Sequence, residues 1–495
     1  MLELAELFDT PAARRIDAQA SALLGDGGAS LMDQAGLAAW QCLLEHWPQA
    51  QRIGVLAGRG NNGGDGYVLA ALARQSGRHV QVLHLPGDAP ATALAQRAQA
   101  AFLAQGGDVL AGDGPLPAMD VWVDALFGIG LDRAPEAAAA ARIAALNQET
   151  APVLALDVPS GVDARTGAVP GVAVRAAVTL QFIVCHQGLY TGDALEHVGE
   201  RRLAPLQLPE GSARDVVASA SRWHHERVRA LLAPRRANTH KGESGQVLCV
   251  GGNLGSGGAV MLSSEAALRS GAGLVRVATR QAHVTALLSR LPEAMVHAVE
   301  DAQDLSALLP QSGVIAIGPG LGQDDWAHEL WRQVLGAGRP LVVDADALNL
   351  LAQSPQPLPD AVLTPHPGEA ARLLGCSTAE VQGDRFAAVQ ALAQRYQTVV
   401  VLKGAGTLVA APHARPRVIA AGNPGMAVGG MGDLLTGVIA ALRAQGLGAF
   451  DAASTGALLH ALAGDAAAAA EGQRGLLPTD LLAPLRRFVN PDRPA

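Results

Sequence analysis

The chain has 495 residues, 49% of them hydrophobic, and its 45 acidic against 37 basic side chains give a formal net charge of -8. At roughly 150 residues per domain it is long enough for two or three domains with sizeable cores. The acidic balance, with no run of more than two adjacent basic residues, argues against nucleic acid and anionic membrane as partners.

The four cysteines, Cys42, Cys185, Cys249 and Cys376, form no C-x-x-C pair, so neither a zinc site nor a disulfide scaffold is expected. Such usage suits a reducing cytoplasm. The opening MLELAELFDT carries two glutamates and no basic segment, unlike a secretory signal. The uncharged stretch over 244–264 is rich in Gly, Ser and Asn and does not read as a membrane span. A soluble, cytoplasmic protein is expected.

In chain order, apolar runs predict strands at 53–57, 80–85, 121–124, 153–157 and 177–183, with alanine-rich helical stretches between them. After a polar, aperiodic segment from Pro209 to Ser221, a second series follows at 246–250, 274–278, 314–317, 341–343, 361–363 and 399–403. Continuous apolar strands alternating with helices predict parallel sheets covered on both faces. The expectation is two α/β domains, residues 1–215 and 222–490.

Ligands of open parallel sheets sit beyond the carboxyl ends of the strands. In the first half three loops stand there: Arg59-Gly-Asn-Asn-Gly-Gly-Asp-Gly66, Asp124-Ala-Leu-Phe-Gly-Ile-Gly130 and Asp157-Val-Pro-Ser-Gly161. The glycines allow a sharp turn that points N–H groups at an anion, ahead of a helix expected to start near Tyr67. Asn62, Asp124 and Ser160 offer only oxygens, the ligand set of a hard cation such as K⁺, Mg²⁺ or Ca²⁺. Asp157 is a candidate acid or base. A plain turn or a helix cap would account for any one of these loops, but their succession favours a shared site.

NNGGDG, DALFGIG and LDVPSG, preceded by Ser30-Leu-Met-Asp-Gln-Ala-Gly36, resemble the N-terminal domain of NAD(P)H-hydrate epimerases over about the first 210 residues. The resemblance implies a Rossmann-like αβα sandwich. It implies that Asn61, Asn62, Gly63, Gly64 and Asp65, together with Gly128, Ile129, Gly130, Leu131, Asp132, Arg133 and Ala134, contact the hydrated dinucleotide. It further implies that Asp157 acts near the reacting ring and that Asn62, Asp124 and Ser160 ligate K⁺.

The second half carries Thr239-His-Lys-Gly242, Gly251-Gly-Asn-Leu-Gly-Ser-Gly-Gly-Ala259, Gly318-Pro-Gly-Leu-Gly322, Asp344-Ala-Asp-Ala-Leu-Asn349, Thr364-Pro-His-Pro-Gly-Glu369, Lys403-Gly-Ala-Gly-Thr407 and Asn423-Pro-Gly-Met-Ala-Val-Gly-Gly-Met-Gly-Asp433. In the last, glycines before an apolar helix make an anion hole, and a carboxylate at its rim suits proton removal from an attacking hydroxyl during phosphoryl transfer. Alternatively Asp433 merely caps the helix, and Lys403 to Thr407 form a bare turn. His366 is as well suited to a structural role as to ligand contact, and Asp344 and Glu369 either cap helices or orient a metal or water.

GPGLG, DADALN, TPHPGE and GNPGMAxGGxGD together resemble the NAD(P)H-hydrate dehydratases of the ribokinase-like superfamily over 225–490. The resemblance implies an αβα sandwich around a mostly parallel sheet, with ADP and Mg²⁺ as phosphoryl donor. Lys403, Gly404, Ala405, Gly406, Thr407 and Gly432 would contact the nucleotide. Ala259, Gly322, His366 and Asp433 would face the hydrated dinucleotide, with Asp433 as base. Val428 and Met431 depart from the family pattern, in which threonines are common; the backbone N–H groups remain. The two resemblances imply a bifunctional enzyme acting on both epimers of NADHX and NADPHX, expected to form a homo-oligomer. The rival expectations are a small-alcohol kinase of the same superfamily and a first half that binds nucleotide or protein without chemistry.

Overall fold

The computed structural model describes residues 6–490 other than 86, 88, 112, 113 and 132. Its contacts divide the chain into two compact units between Ala220 and Ser221.

In the first unit the strands are ordered Asp108–Ala111, His79–His84, Arg52–Ala57, Val121–Ala125, Val153–Leu156, Val178–Phe182, Glu200–Ala204. All neighbours are parallel. The reason lies in the Val121–Ala125 strand, buried at each of its positions. Val121, Val123 and Ala125 pack with Ile53 and Val55 on one face, while Trp122 packs with Leu56 and Ile143 on the other. Gly54 leaves room for that indole, since a Cβ there would lie 2.4 Å from it. Strand order reverses between Arg52–Ala57 and Val121–Ala125, which opens a crevice at their carboxyl ends.

The structure corrects the expected helix start. The helix runs Asn61–Gln75 with Gly60 as its N-cap, so the Asn-Asn-Gly-Gly-Asp-Gly segment is helical rather than a loop before Tyr67. Its glycines serve close packing. A Cβ on Gly63 would lie 2.1 Å from the Gly58 carbonyl, and one on Gly64 would lie 2.4 Å from Met32. The edge strands Asp108–Ala111 and Glu200–Ala204, polar and only partly apolar, escaped the sequence pattern.

In the second unit the strands are ordered Ala220–Arg222, Arg417–Ile419, Thr407–Ala410, Val399–Leu402, Ala361–Leu363, Leu341–Val343, Val314–Ile317, Gln246–Val250, Leu274–Thr279, Met295–Ala298. The run from Val399–Leu402 to Met295–Ala298 is parallel. Beyond it the sheet departs from the expected parallel pattern, because Thr407–Ala410 pairs antiparallel with Val399–Leu402 and with Arg417–Ile419. The four-residue link between Leu402 and Thr407 is too short for a crossover, and Gly404 (φ 128°) and Gly406 (φ 61°) supply the positive φ of a tight reversal. The helix Met431–Ala444 begins after Gly430 (φ 94°) and buries Leu434, Leu435, Val438 and Ile439 in the core. No helix among the described residues is long and apolar enough to cross a membrane.

Candidate active sites

The crevice of the first unit holds a cavity of about 800 Å³. The three loops singled out in sequence converge there: Asn61, Asn62 and Asp65 line it from the helix start, and Gly128, Ile129, Gly130, Leu131 and Arg133 from the next loop. Gly63 and Gly64, buried within that helix, pack against Gly58 and Met32, and Ala134 lies beside Gly171. Asp132 falls outside the described residues.

Asp157 stands at the cavity wall just past the Val153–Leu156 strand, in the left-handed region at φ 65°. Its N–H donates to the Leu180 carbonyl at 2.7 Å, and its Oδ2 accepts from the Ile129 N–H at 3.4 Å. His186 Nε2 lies 2.8 Å from Asp157 Oδ1. Two further carboxyls line the same cavity. Burial and the nearby Asp157 charge push both Asp65 and Asp17 above the usual carboxylate range, Asp65 much further than Asp17.

Beneath them, Asp124 Oδ2 accepts from the Ser160 N–H at 2.7 Å and Oδ1 from the Ser160 hydroxyl at 2.6 Å. Burial raises Asp124 to about 6 against these hydrogen bonds. Asn62 Nδ2 donates to the Phe127 carbonyl at 3.0 Å, whereas Asn62 Oδ1 is buried without a hydrogen-bond partner. The sequence reading missed Asp17 and His186. His186 had a visible signal, since it follows the fifth strand at the same sheet edge, three residues beyond Ile183. Asp17 sits on the helix Thr10–Leu24, whose spacing carries no such mark.

In the second unit four charged side chains meet beyond the carboxyl ends of the central strands. Lys403 Nζ lies 2.7 Å from Asp344 Oδ1 and 3.8 Å from Glu369 Oε2. Asp344 Oδ2 accepts from the Thr436 hydroxyl at 2.8 Å. Burial acts to raise the Asp344 carboxyl, but the Lys403 ammonium and these hydrogen bonds hold it below its ordinary value. Lys403 is raised despite its own burial, by Asp344, Glu369 and Asp433. Gly432 makes this junction possible: a Cβ there would lie 3.1 Å from Lys403 Nζ.

Asp433 lies in the first turn of Met431–Ala444, where the N-cap is Gly430 and no side-chain capping bond is made. Burial and the Asp344 charge push Asp433 up to about 6. Asp344 likewise makes no capping bond to the helix Ala345–Gln353. His366 and Glu369 do cap, forming a reciprocal capping box at the helix Pro367–Leu374. His366 Nδ1 accepts from Gly368 and Glu369 N–H groups, and its Nε2 lies 3.5 Å from Glu369 Oε1. Burial raises Glu369 to about 7 despite Lys403. Gly322 donates its N–H to Asp346 Oδ2 at 2.8 Å, and Ala259 lies beside Gly320 of the same loop. Gly404 to Gly406 form the hairpin turn, so of the expected nucleotide-contacting run only Lys403 joins the charged cluster, and its ammonium points into that cluster. Met431 is buried, whereas Val428 is exposed.

Comparison with known proteins bears on both units. A family model described as YjeF-related protein N-terminus matches residues 28–188, and one described as NAD(P)H-hydrate dehydratase matches residues 247–487. The bifunctional NAD(P)H-hydrate repair enzyme Nnr of Coxiella burnetii is 48% identical over 464 residues, covering 93% of this chain and 95% of the relative. The protein of the same description in Escherichia coli (strain K12) is 44% identical over 480 residues, covering 97% of this chain and 93% of the relative. Among solved structures, a ribokinase-like superfamily protein of Enterococcus faecalis is similar at 32% identity with a TM-score of 0.51, covering 54% of this chain and 94% of that one. With relatives matched over nearly its whole length and a family model on each unit, this chain belongs to the family of bifunctional NAD(P)H-hydrate repair enzymes.

Proposed function

We propose that this chain returns hydrated nicotinamide cofactors to use: residues 1–215 epimerise the R and S forms of NADHX and NADPHX, and residues 222–490 dehydrate the S form with ADP as phosphoryl donor. The observation that carries the second activity is Asp433 raised to about 6 in the first turn of a helix, beside Lys403 and Asp344. A carboxylate poised near neutral pH at a helix N-terminus suits removal of a hydroxyl proton as a phosphoryl group is delivered. Asp433 takes the proton of the C6 hydroxyl, and the oxygen attacks the terminal phosphoryl group of ADP as the bridging P–O bond breaks and AMP leaves. First-turn N–H groups, Gly432 among them, hold the phosphate. Phosphate then leaves from C6 as the ring nitrogen donates its electron pair, and loss of a C5 proton restores the dihydronicotinamide. Lys403, fixed by Asp344 and Glu369, balances the added negative charge. Mg²⁺ carried on the phosphates of ADP would supply charge neutralisation for the transferring group.

In the first unit the donor set fits K⁺. The unpartnered Asn62 Oδ1, the buried Asp124 carboxylate and the Ser160 hydroxyl offer hard oxygens, and a monovalent cation there supplies charge against the anionic dinucleotide. The four cysteines are free, which supports a reducing, cytoplasmic setting. Exposed Leu37 beside Val68 and Leu72 in a shallow groove supports self-association into a homo-oligomer.

The test is recovery of reduced nicotinamide absorbance from a mixture of both NADHX epimers with ADP, Mg²⁺ and K⁺. Complete recovery supports two working sites, and recovery of one epimer leaves only the dehydratase. A phosphorylated alcohol that accumulates without restored nicotinamide would establish the kinase reading instead.

A further inference from the structure

We propose that His186 is the positioning residue of the epimerisation site, fixing Asp157 and sharing the charge of the proton that Asp157 takes from the substrate. The inference rests on the epimerase reading above. Three observations carry it. Asp157 is a non-glycine residue in the left-handed region, a strained setting that persists where its surroundings hold it. His186 Nε2 at 2.8 Å is the imidazole contact of its Oδ1, while Oδ2 is turned toward the Ile129 N–H at the cavity wall. His186 itself is only 1% exposed and its Nδ1 is buried without a hydrogen-bond partner.

A purely structural histidine normally satisfies both ring nitrogens. Here one nitrogen is given to a catalytic carboxylate and the other is left without a partner, although the backbone around the ring is held firmly. The His186 N–H donates to Gln181 Oε1 at 2.8 Å, and the next N–H, of Gln187, donates to the Phe8 carbonyl at 2.9 Å. Among the described residues, the acidic and basic side chains around the cavity are Asp157, Asp17 and Asp65 with Arg14, Arg59 and Arg133. Of these carboxyls Asp157 alone has the imidazole within hydrogen-bond distance, whereas burial and the Asp157 charge push Asp65 well above the usual carboxylate range.

The roles follow from the chemistry of a carbinolamine. Asp157 Oδ2 takes the C6 hydroxyl proton, C6=O forms as the C6–N1 bond breaks, and the electron pair passes to N1 and through C2=C3 into the carboxamide. The carboxamide is protonated there by Asp65. Rotation about C5–C6 presents the other carbonyl face, N1 re-adds, and both protons return. His186 Nε2–H stays on Oδ1 throughout, so Asp157 keeps its geometry in both protonation states.

The test follows epimer exchange by the full-length chain from each purified epimer, without ADP, across pH. His186→Ala is expected to lower kcat about 10²-fold while KM changes by less than about threefold. His186→Gln, which keeps a donor near Nε2 but cannot titrate, is expected to recover part of kcat and to shift the acid limb of the pH profile. The thermal unfolding transition of each full-length variant beside that of the wild-type chain serves as the folding control. Wild-type kcat and pH profile in both variants, or a change confined to KM, overturns the proposal. An inert wild-type chain would instead sink the epimerase reading, and this inference with it.

Discussion

Asp433 and Asp344 lie on the same charged junction and yet have opposite character. Asp344 has the direct contact with Lys403 and is held ionised, while Asp433 shares the burial without that contact and rises to about 6. Asp433→Asn is therefore expected to cut dehydration by about 10²–10³-fold in kcat. It should leave the melting temperature equal or higher, because a desolvated charge is removed, a stability–function trade-off readable by calorimetry beside turnover. Lys403→Ala should cost more in folding than in any single contact, since it strands Asp344 as a buried unpaired carboxylate. In the first unit the shift of Asp124 to about 6 amounts to roughly 3 kcal/mol against its charged form at neutral pH. A cation held there offsets this, so exchange should slow when K⁺ is replaced by a bulky organic cation, and Asp124→Asn should abolish the K⁺ dependence. At this scale the site was legible wherever a residue sat in a glycine-rich loop at a strand end. Asp17 was not legible, because a helix brings it to the cavity from the far end of the sequence.

The helix Asn61–Gln75 shows what its glycines are for. Gly63 passes so close to the Gly58 carbonyl that an added methyl has no room. Gly63→Ala is expected to destabilise the first unit by about 1–3 kcal/mol and to displace Asn61 and Asn62, lowering both the melting midpoint and epimer exchange. Helix propensity alone would have predicted a gain from the same change, so a stabilised variant would show that the close approach does not constrain the site. The reversal at Gly404 and Gly406 places Lys403 at the end of a strand and directs the chain back antiparallel. Apolar runs identified the central strands of both sheets because full burial demands them. The edge strands, half exposed and short, carry no such demand and were not visible, and the buried four-residue strand Thr407–Ala410, directly behind a glycine turn, was too short to stand out.

For the whole molecule the buried carboxyls set the pH response. Asp124 and Asp433 at about 6 and Glu369 at about 7 hold protons in the folded state that the unfolded carboxyls release near pH 4. The folded chain binds more protons over that interval, so these groups make stability rise as pH falls from about 7 toward 4. His460 acts the other way. Burial, with Lys403 nearby, lowers it to about 4, so below pH 6.5 it favours the unfolded chain. Burial lowers His224, His297 and His366 as well, and raises Asp65 and Asp17 with the other carboxyls. Among the described residues five raised carboxyls stand against four lowered imidazoles, and the ligand-free protein is expected to melt higher at pH 5.5 than at 7.5. K⁺ should narrow that gap by favouring ionised Asp124. A melting midpoint that falls steadily over this interval would contradict the assignment.

The sequence alone determined that this is an α/β chain in two parts, which glycine-rich loops stand at the carboxyl ends of its strands, and which family it resembles. Apolar continuity and glycine spacing are local properties, and they are written along the chain. Only the tertiary structure decided the rest: that Asn61 to Gly66 belong to a helix, that Lys403 is bound inward by Asp344 and Glu369, and that His186 stands behind Asp157. Each depends on groups brought together from distant elements, whose desolvation and mutual charge exist only once the sheets have formed.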